Sequence, residues 1–335
     1  MSGPTVLYSE TLYPDDTIER ALLGPDVHIV RRAVPALSAL TDAECAEADG
    51  LMIFRHWISR DDLARFPRLR AIVRMGVGYD RIDRVAAAER SILVCNIPDY
   101  GTTEVADHAI ALALTLRRGL LLHHAAQRAE PPAPWLPIED PLVARLSVQT
   151  FGVVGLGRIG TAAALRAKAL GFRVVFYDPN LPNGAELAVG LERVRALPDL
   201  LRQADVLSLH TPLTRQTRGL IGAAELALLP PGAVVVNTAR GPVLDLDALF
   251  AALRSGHLAG AGLDVLPVEP PADPPALLRA YRAREPWLEG RVIVTPHAAY
   301  WSPQGMADIR VKAVETIRAA LLTNQPQNVI TPDME

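Results

Sequence analysis

Phe151-Gly152-Val153-Val154-Gly155-Leu156-Gly157-Arg158-Ile159-Gly160 decides the fold. It reads as a short apolar strand, a G-x-G-x-x-G turn and the opening of a helix predicted over 159–170. In that setting Gly155 allows the tight turn, Gly157 lets a pyrophosphate approach the backbone, and Gly160 lets helix and strand pack closely. The helix N-terminus at Arg158 and Ile159 offers free N–H groups and the positive end of the helix dipole to an anion. Asp178 lies 18 residues beyond Gly160, at the end of the next strand, where a carboxylate can accept hydrogen bonds from ribose hydroxyls. Pro179 and Asn180 follow it, with no Arg to meet a 2′-phosphate, so NAD is expected in preference to NADP.

Outward from this turn the chain alternates strands and helices. Downstream, apolar runs at 173–177, 206–209, 233–236, 260–265 and 292–294 bring the expected strand count to six, one doubly wound nucleotide-binding domain. Upstream, runs at 6–8, 27–30, 51–54, 71–74 and 92–95 alternate with helical segments such as 61–66 and 82–90. They predict a second parallel sheet covered on both faces. Between the two series a helix is predicted over 99–118, with Thr102 or Thr103 as its N-cap. It is apolar almost all round, as a helix buried between two bodies would be. The proline-rich stretch 131–137 must be an exposed loop. A last helix over 304–322 is expected to return to the first domain.

Composition excludes other chemistries. The chain has 335 residues and a net charge of −3, which disfavours a nucleic-acid or membrane surface as main partner. Of its 34 basic residues only Lys168 and Lys312 are lysines, and neither stands in a GK[ST] phosphate loop or looks placed for a Schiff base. Cys45 and Cys95 are too few and too far apart for a disulfide framework or a CxxC metal site, so no metal is expected. No apolar run approaches the ~18 residues of a membrane span, and the N-terminus lacks a signal-peptide pattern; a cytoplasmic protein is the expectation.

Five blocks resemble the D-2-hydroxyacid dehydrogenase family, over about residues 50–330. They are Gly76-Val77-Gly78-Tyr79-Asp80, the loop from Gly155 to Gly160, Asn237-Thr238-Ala239-Arg240-Gly241, Gly262-Leu263-Asp264-Val265 with Glu269-Pro270, and Thr295-Pro296-His297-Ala298-Ala299. Within the family, Phe176-Tyr177-Asp178-Pro179 and the aromatic pair after Ala299 look most like the C-terminal binding protein branch. The resemblance implies a Rossmann-type NAD domain at 119–298, inserted into a discontinuous flavodoxin-like substrate domain at 1–118 and 299–335, with the active site in the cleft. It puts Arg240, Glu269 and His297 on the family's catalytic positions and Gly76, Val77 and Gly78 on its substrate-carboxylate loop. Asp264 falls on its nicotinamide-side aspartate, Thr211-Pro212 near the adenosine, and Thr238 and Ala239 among its cofactor contacts. It also implies a homodimer through the coenzyme domain, where Leu120, Leu121, Leu122 and Trp135 look exposed.

The chemistry needs these residue types. Arg grips a carboxylate with planar paired donors and polarises a ketone; His delivers a proton near neutral pH; a carboxylate fixes the His tautomer and favours its charged form. Arg240, Glu269 and His297 each follow a predicted strand of the second series, at the carboxyl edge where such sheets bind ligands. The expected function is therefore NAD-dependent interconversion of a 2-oxo acid and a D-2-hydroxy acid. The alternative is an NAD-binding, corepressor-like interaction protein. A phosphoglycerate dehydrogenase with a regulatory domain is set aside because nothing follows about residue 330. Trp301 is assigned to the substrate: it or Tyr300 either closes over the substrate side chain or packs in the core. Arg55, His56 and Trp57 are further pocket candidates, and the long connection at 272–290 has no evident reason.

Overall fold

The computed structural model describes residues 3–323 and 325–332. The chain divides into two compact units: one runs to Gly101 and resumes at Trp301, and the other is Thr102–Tyr300.

The first unit is a five-stranded parallel sheet of β1 (Thr5–Tyr8), β2 (His28–Arg31), β3 (Gly50–Ile53), β4 (Ala71–Arg74) and β5 (Leu93–Asn96), in the order β2-β1-β3-β4-β5. This is the flavodoxin-like order. The strands are short and β3 is buried along its whole length, as a sheet covered on both faces requires. The C-terminal helix Pro303–Leu321 belongs here. Its buried Arg310 donates to Glu19 Oε1 and Oε2 at 2.8 and 2.6 Å and to Asp15 Oδ1 at 2.8 Å, tying it to the first helix and the turn before it. At the carboxyl ends of β1 and β3, where the strand order reverses, the Glu10 carboxylate accepts from the backbone N–H groups of Phe54 (2.6 Å), Arg55 (2.8 Å) and His56 (3.3 Å).

The second unit is a seven-stranded parallel sheet: β6 (Thr150–Val154), β7 (Arg173–Tyr177), β8 (Glu192–Arg193), β9 (Val206–Leu209), β10 (Ala233–Asn237), β11 (Leu258–Leu263) and β12 (Val292–Val294). Their order, β12-β11-β10-β9-β6-β7-β8, is the Rossmann order extended by one strand. Sequence periodicity finds six of these seven; β8 has only two residues, and no repeat can register in two residues.

Both domain boundaries differ from those expected: residues 102–118 and 299–300 group with the second unit, not with the split domain. The helix Thr102–Arg117 lays its buried face, with Ala109, Leu112, Ala113 and Leu116, on β10, β11 and the helix Arg158–Ala169. Its Arg117 is anchored there by Gln149 Oε1 at 2.9 Å and the Gly232 carbonyl at 2.8 Å. The helix begins at Thr102, so neither Thr102 nor Thr103 precedes it as a cap. The connection 272–290 also gains a reason. It forms the helix Ala276–Arg282 and a short 3-10 turn, burying Leu277, Leu278 and Leu288 and placing Trp287 against Phe250 at 5.7 Å between ring centres. No helix among the described residues is long and apolar enough to cross a membrane.

Candidate active site

The glycine-rich turn is built as its spacing implies. Gly155 has φ +90°, a left-handed backbone that side chains resist. A Cβ on Gly160 would sit 2.0 Å from the Gly155 carbonyl oxygen, so helix and turn touch backbone to backbone. Gly157 differs. Its φ of −72° suits any residue and nothing lies within 4 Å of where its Cβ would be. The protein itself therefore gives no reason for glycine there, whereas a ligand lying against the backbone does. Gly157 caps the helix Arg158–Ala169 without a side chain, leaving the first-turn N–H groups, Ile159 and Gly160 among them, to an incoming anion.

Three buried polar atoms beside this turn lack a hydrogen-bond partner: His210 Nδ1, Thr211 Oγ1 and Thr238 Oγ1. Buried polar atoms are almost always paired, so three on adjoining strand ends suit a ligand rich in donors and acceptors. Thr211 and Thr238 were nominated from sequence and His210 was not. Pro212, between Thr211 and the Thr214–Thr217 turn, is exposed and passes its carbonyl to Thr217 Oγ1 at 2.6 Å. Asp178 ends β7, accepting from Leu156 N–H on one oxygen and Asn180 N–H on the other, both at 2.9 Å, each oxygen retaining a second lone pair. These features fit a dinucleotide.

Burial holds His210 neutral, lowering its pKa from 6.5 to about 4. Its Nε2 lies 2.8 Å from Ser208 Oγ. Because the folded value is depressed, the unfolded chain takes up a proton first as pH falls through 6.5, and stability is lost progressively down to about pH 4. The expected result is a fall in Tm over that window, corresponding to at most about 3 kcal/mol, that is blunted in His210→Asn. Parallel Tm curves for the two proteins would refute it.

Arg240, Glu269 and His297 follow β10, β11 and β12, three adjacent strands, at their carboxyl ends. The Asn237 side chain braces the first of these turns, accepting from Ala239 N–H and donating to the Arg240 carbonyl, both at 3.0 Å. Arg240 itself donates to the Ala239 carbonyl at 2.7 Å. Gly241 lies directly on the Leu266 backbone, where a Cβ would come within 2.0 Å, so the Arg240 turn rests on the Glu269 loop. Glu269 uses one oxygen to accept from Leu266 N–H at 2.9 Å and turns the other to His297 Nδ1 at 2.6 Å. Both side chains of that pair keep part of their surface exposed.

His297 has φ +52°, a left-handed conformation that costs a non-glycine residue about 1–3 kcal/mol. Asp264 holds it there. Its carbonyl accepts from His297 N–H at 2.8 Å, and its buried carboxylate accepts from Ala298 and Ala299 N–H at 2.8 and 3.0 Å and from Thr295 Oγ1 at 2.6 Å. The carboxylate of Asp264, a cofactor-contact candidate, thus also braces the turn that carries His297. His108 Nε2 lies 3.1 Å from the Thr295 hydroxyl. The edge of the Tyr300 ring faces His297 with ring centres 6.1 Å apart. Sequence reasoning missed Thr295 and His108, whose partners only folding brings near, and Asn237, whose bonds within its own turn look like ordinary turn chemistry.

The other nominated residues stand in the first unit. Gly76, Val77 and Gly78 follow β4, with Asn96 Nδ2 donating to the Val77 carbonyl at 2.6 Å. Trp301 is 59% exposed, which removes core packing as its role. His56 is buried, with Nδ1 3.0 Å from Ser9 Oγ and Nε2 3.0 Å from the Val34 carbonyl, so it packs instead of lining a pocket. Among the described residues no group of three His, Cys, Asp or Glu could hold a metal ion.

Residues 110–299 match the family model for D-isomer specific 2-hydroxyacid dehydrogenase, NAD binding domain. A D-3-phosphoglycerate dehydrogenase of Mycobacterium tuberculosis is 35% identical over 328 residues, 96% of this chain but 57% of that protein. The chain thus spans little more than half the length of the curated relatives it matches. A glyoxylate reductase from Paecilomyes thermophila superposes with a TM-score of 0.85 at 27% identity, covering 100% of both chains. A D-lactate dehydrogenase from Aquifex aeolicus, complexed with NAD and lactic acid, gives 0.80 at 28% identity over 96% of each. An NADPH-dependent glyoxylate/hydroxypyruvate reductase from Sinorhizobium meliloti gives 0.80 at 29% identity, over 98% of this chain and 97% of that one. With the family model matched over more than half its length, this chain belongs to the D-isomer specific 2-hydroxyacid dehydrogenase family.

Proposed function

We propose that the protein reduces a 2-oxo acid to a D-2-hydroxy acid with NADH, and that Arg240, Glu269 and His297 carry the reaction. The single observation behind this reading is the 2.6 Å contact between His297 Nδ1 and Glu269 Oε2, on a histidine held in a left-handed turn at the carboxyl edge of a nucleotide-binding sheet. With Nδ1–H given to Glu269, Nε2 is the nitrogen left to face a substrate. Bound NADH supplies a hydride to the carbonyl carbon. His297 Nε2 gives the proton that completes the new hydroxyl, and Glu269 steadies the imidazolium until then. Arg240 pairs with the substrate carboxylate and polarises the ketone. The loop of Gly76, Val77 and Gly78 is assigned to the same carboxylate, and Trp301 to the substrate side chain. The substrate is a small-molecule acid, and a homodimer is expected through the surface bearing Leu120, Leu121 and Trp135, which are 54%, 37% and 89% exposed, whereas Leu122, expected to be exposed with them, is partly buried.

The test is NADH consumption across glyoxylate, hydroxypyruvate, pyruvate, phenylpyruvate and 3-phosphohydroxypyruvate. The last is the oxo acid matching the curated relatives, a branch that the sequence reading set aside on chain length alone. At least one should be reduced, with the D-isomer formed wherever the product is chiral (glycolate from glyoxylate is not), and no turnover of any would sink the reading. Trp301→Ala should change the ratio of kcat/KM between long and short oxo acids; an unchanged ratio removes Trp301 from the site.

A further inference from the structure

Arg193 lies on β8, and its guanidinium does not face solvent: its side chain is 5% exposed. It reaches back over the turn that follows β7. Nη2 donates to the carbonyls of Asp178 at 2.7 Å and Leu181 at 2.8 Å, and Nη1 donates to the carbonyl of Pro182 at 2.9 Å. One rigid fork therefore spans the turn from the carboxylate-bearing residue to its far end, a geometry that a lysine ammonium cannot copy. The pairing of β7 with β8, with Phe176 opposite Arg193 and Val194 N–H on the Phe176 carbonyl at 2.8 Å, fixes where the fork begins.

The charge of Arg193 is also answered inside the protein. Glu186 Oε2 lies 3.5 Å from its Nη1, and the other oxygen of the same carboxylate lies 3.3 Å from Arg195 Nη2. Arg195 in turn donates to Asn183 Oδ1 at 3.0 Å. Arg193 is thus enclosed by the chain, while Arg195, 58% exposed, is held by Glu186 and Asn183; a 2′-phosphate would need an arginine open to it, and the one that reaches the Asp178 carbonyl is not.

We propose that Arg193 is the positioning residue for cofactor choice: by locking the turn from Asp178 to Pro182 while Glu186 cancels its charge, it fixes the Asp178 carboxylate for ribose hydroxyls and keeps NAD favoured over NADP. This rests on Asp178 meeting the adenosine ribose. Failure of the unmodified chain to bind NADH at all would count against that reading, not against the role of Arg193.

The experiment is titration of NADH and NADPH binding by fluorescence on the full chain, with Tm recorded alongside. Arg193→Met should weaken NADH about tenfold and NADPH much less, narrowing the preference between them, while KM for the oxo acid at saturating NADH stays unchanged. A fall in Tm with the NADH to NADPH affinity ratio unmoved would mean a merely structural role and overturn the proposal. Should Arg193→Met fail to fold, Glu186→Gln decides. It keeps the three carbonyl contacts but strips the neutralising charge, so NADPH should bind tighter with NADH unchanged; an unmoved ratio there overturns the proposal equally.

Discussion

Replacing His297 with Asn is expected to lower kcat for 2-oxo acid reduction by about 10²- to 10⁴-fold while NADH still binds. Asparagine preserves a polar side chain on the left-handed turn, which Asp264 holds mainly through backbone N–H groups, so the fold should survive. What disappears is the proton donor. Glu269→Gln keeps the shape of the side chain but withdraws the negative charge 2.6 Å from Nδ1. The proton donor then loses the partner that orients it, so kcat for reduction should fall while NADH still binds. Full reductase activity in His297→Asn, or an unchanged kcat in Glu269→Gln, would remove the pair from the mechanism.

A pair of alanine substitutions in the glycine-rich turn should separate fold from ligand. In Gly160→Ala the new methyl meets the Gly155 carbonyl oxygen at 2.0 Å and its carbon at 3.1 Å. Both are backbone atoms and cannot swing aside, so the helix must move off the sheet. A cost of about 1–3 kcal/mol or more follows, read as a Tm fall of several degrees together with loss of NADH affinity. Gly157→Ala meets nothing within 4 Å and needs no unusual backbone. Its Tm should be unchanged while NADH affinity falls at least about tenfold, because the methyl stands where the pyrophosphate would lie. If Gly157→Ala binds NADH normally, the turn is a structural glycine loop and the cofactor assignment fails.

The contrast between those two glycines shows what was legible in the chain. Spacing alone placed the turn, the strand before it and the helix after it, because these follow from local backbone sterics and a period of apolar residues. Arg240, Glu269 and His297 were legible because each follows a strand in a recognisable order. Thr295 and Arg193 were not, since a residue that braces a distant turn carries no local pattern; Asn237 braces its own turn, but an asparagine before a turn does not by itself mark a site. The helix Thr102–Arg117 was found but given to the wrong unit: a helix apolar nearly all round does not say which sheet it covers. For Asp264 the sequence shows a carboxylate but not the three donors that reach it, which come from residues 31 to 35 positions away.

The two sheets also differ in what fills their strand-order reversal. In the second, the glycine-rich turn leaves its backbone donors open. In the first, the donors of Phe54, Arg55 and His56 already hold the Glu10 carboxylate. The chain thus sets a carboxyl group of its own at the point where the flavodoxin-like order would otherwise receive a phosphate. Two sheets of nucleotide-binding type therefore give a stoichiometry of one dinucleotide per chain, and saturation with cofactor should follow a single-site isotherm.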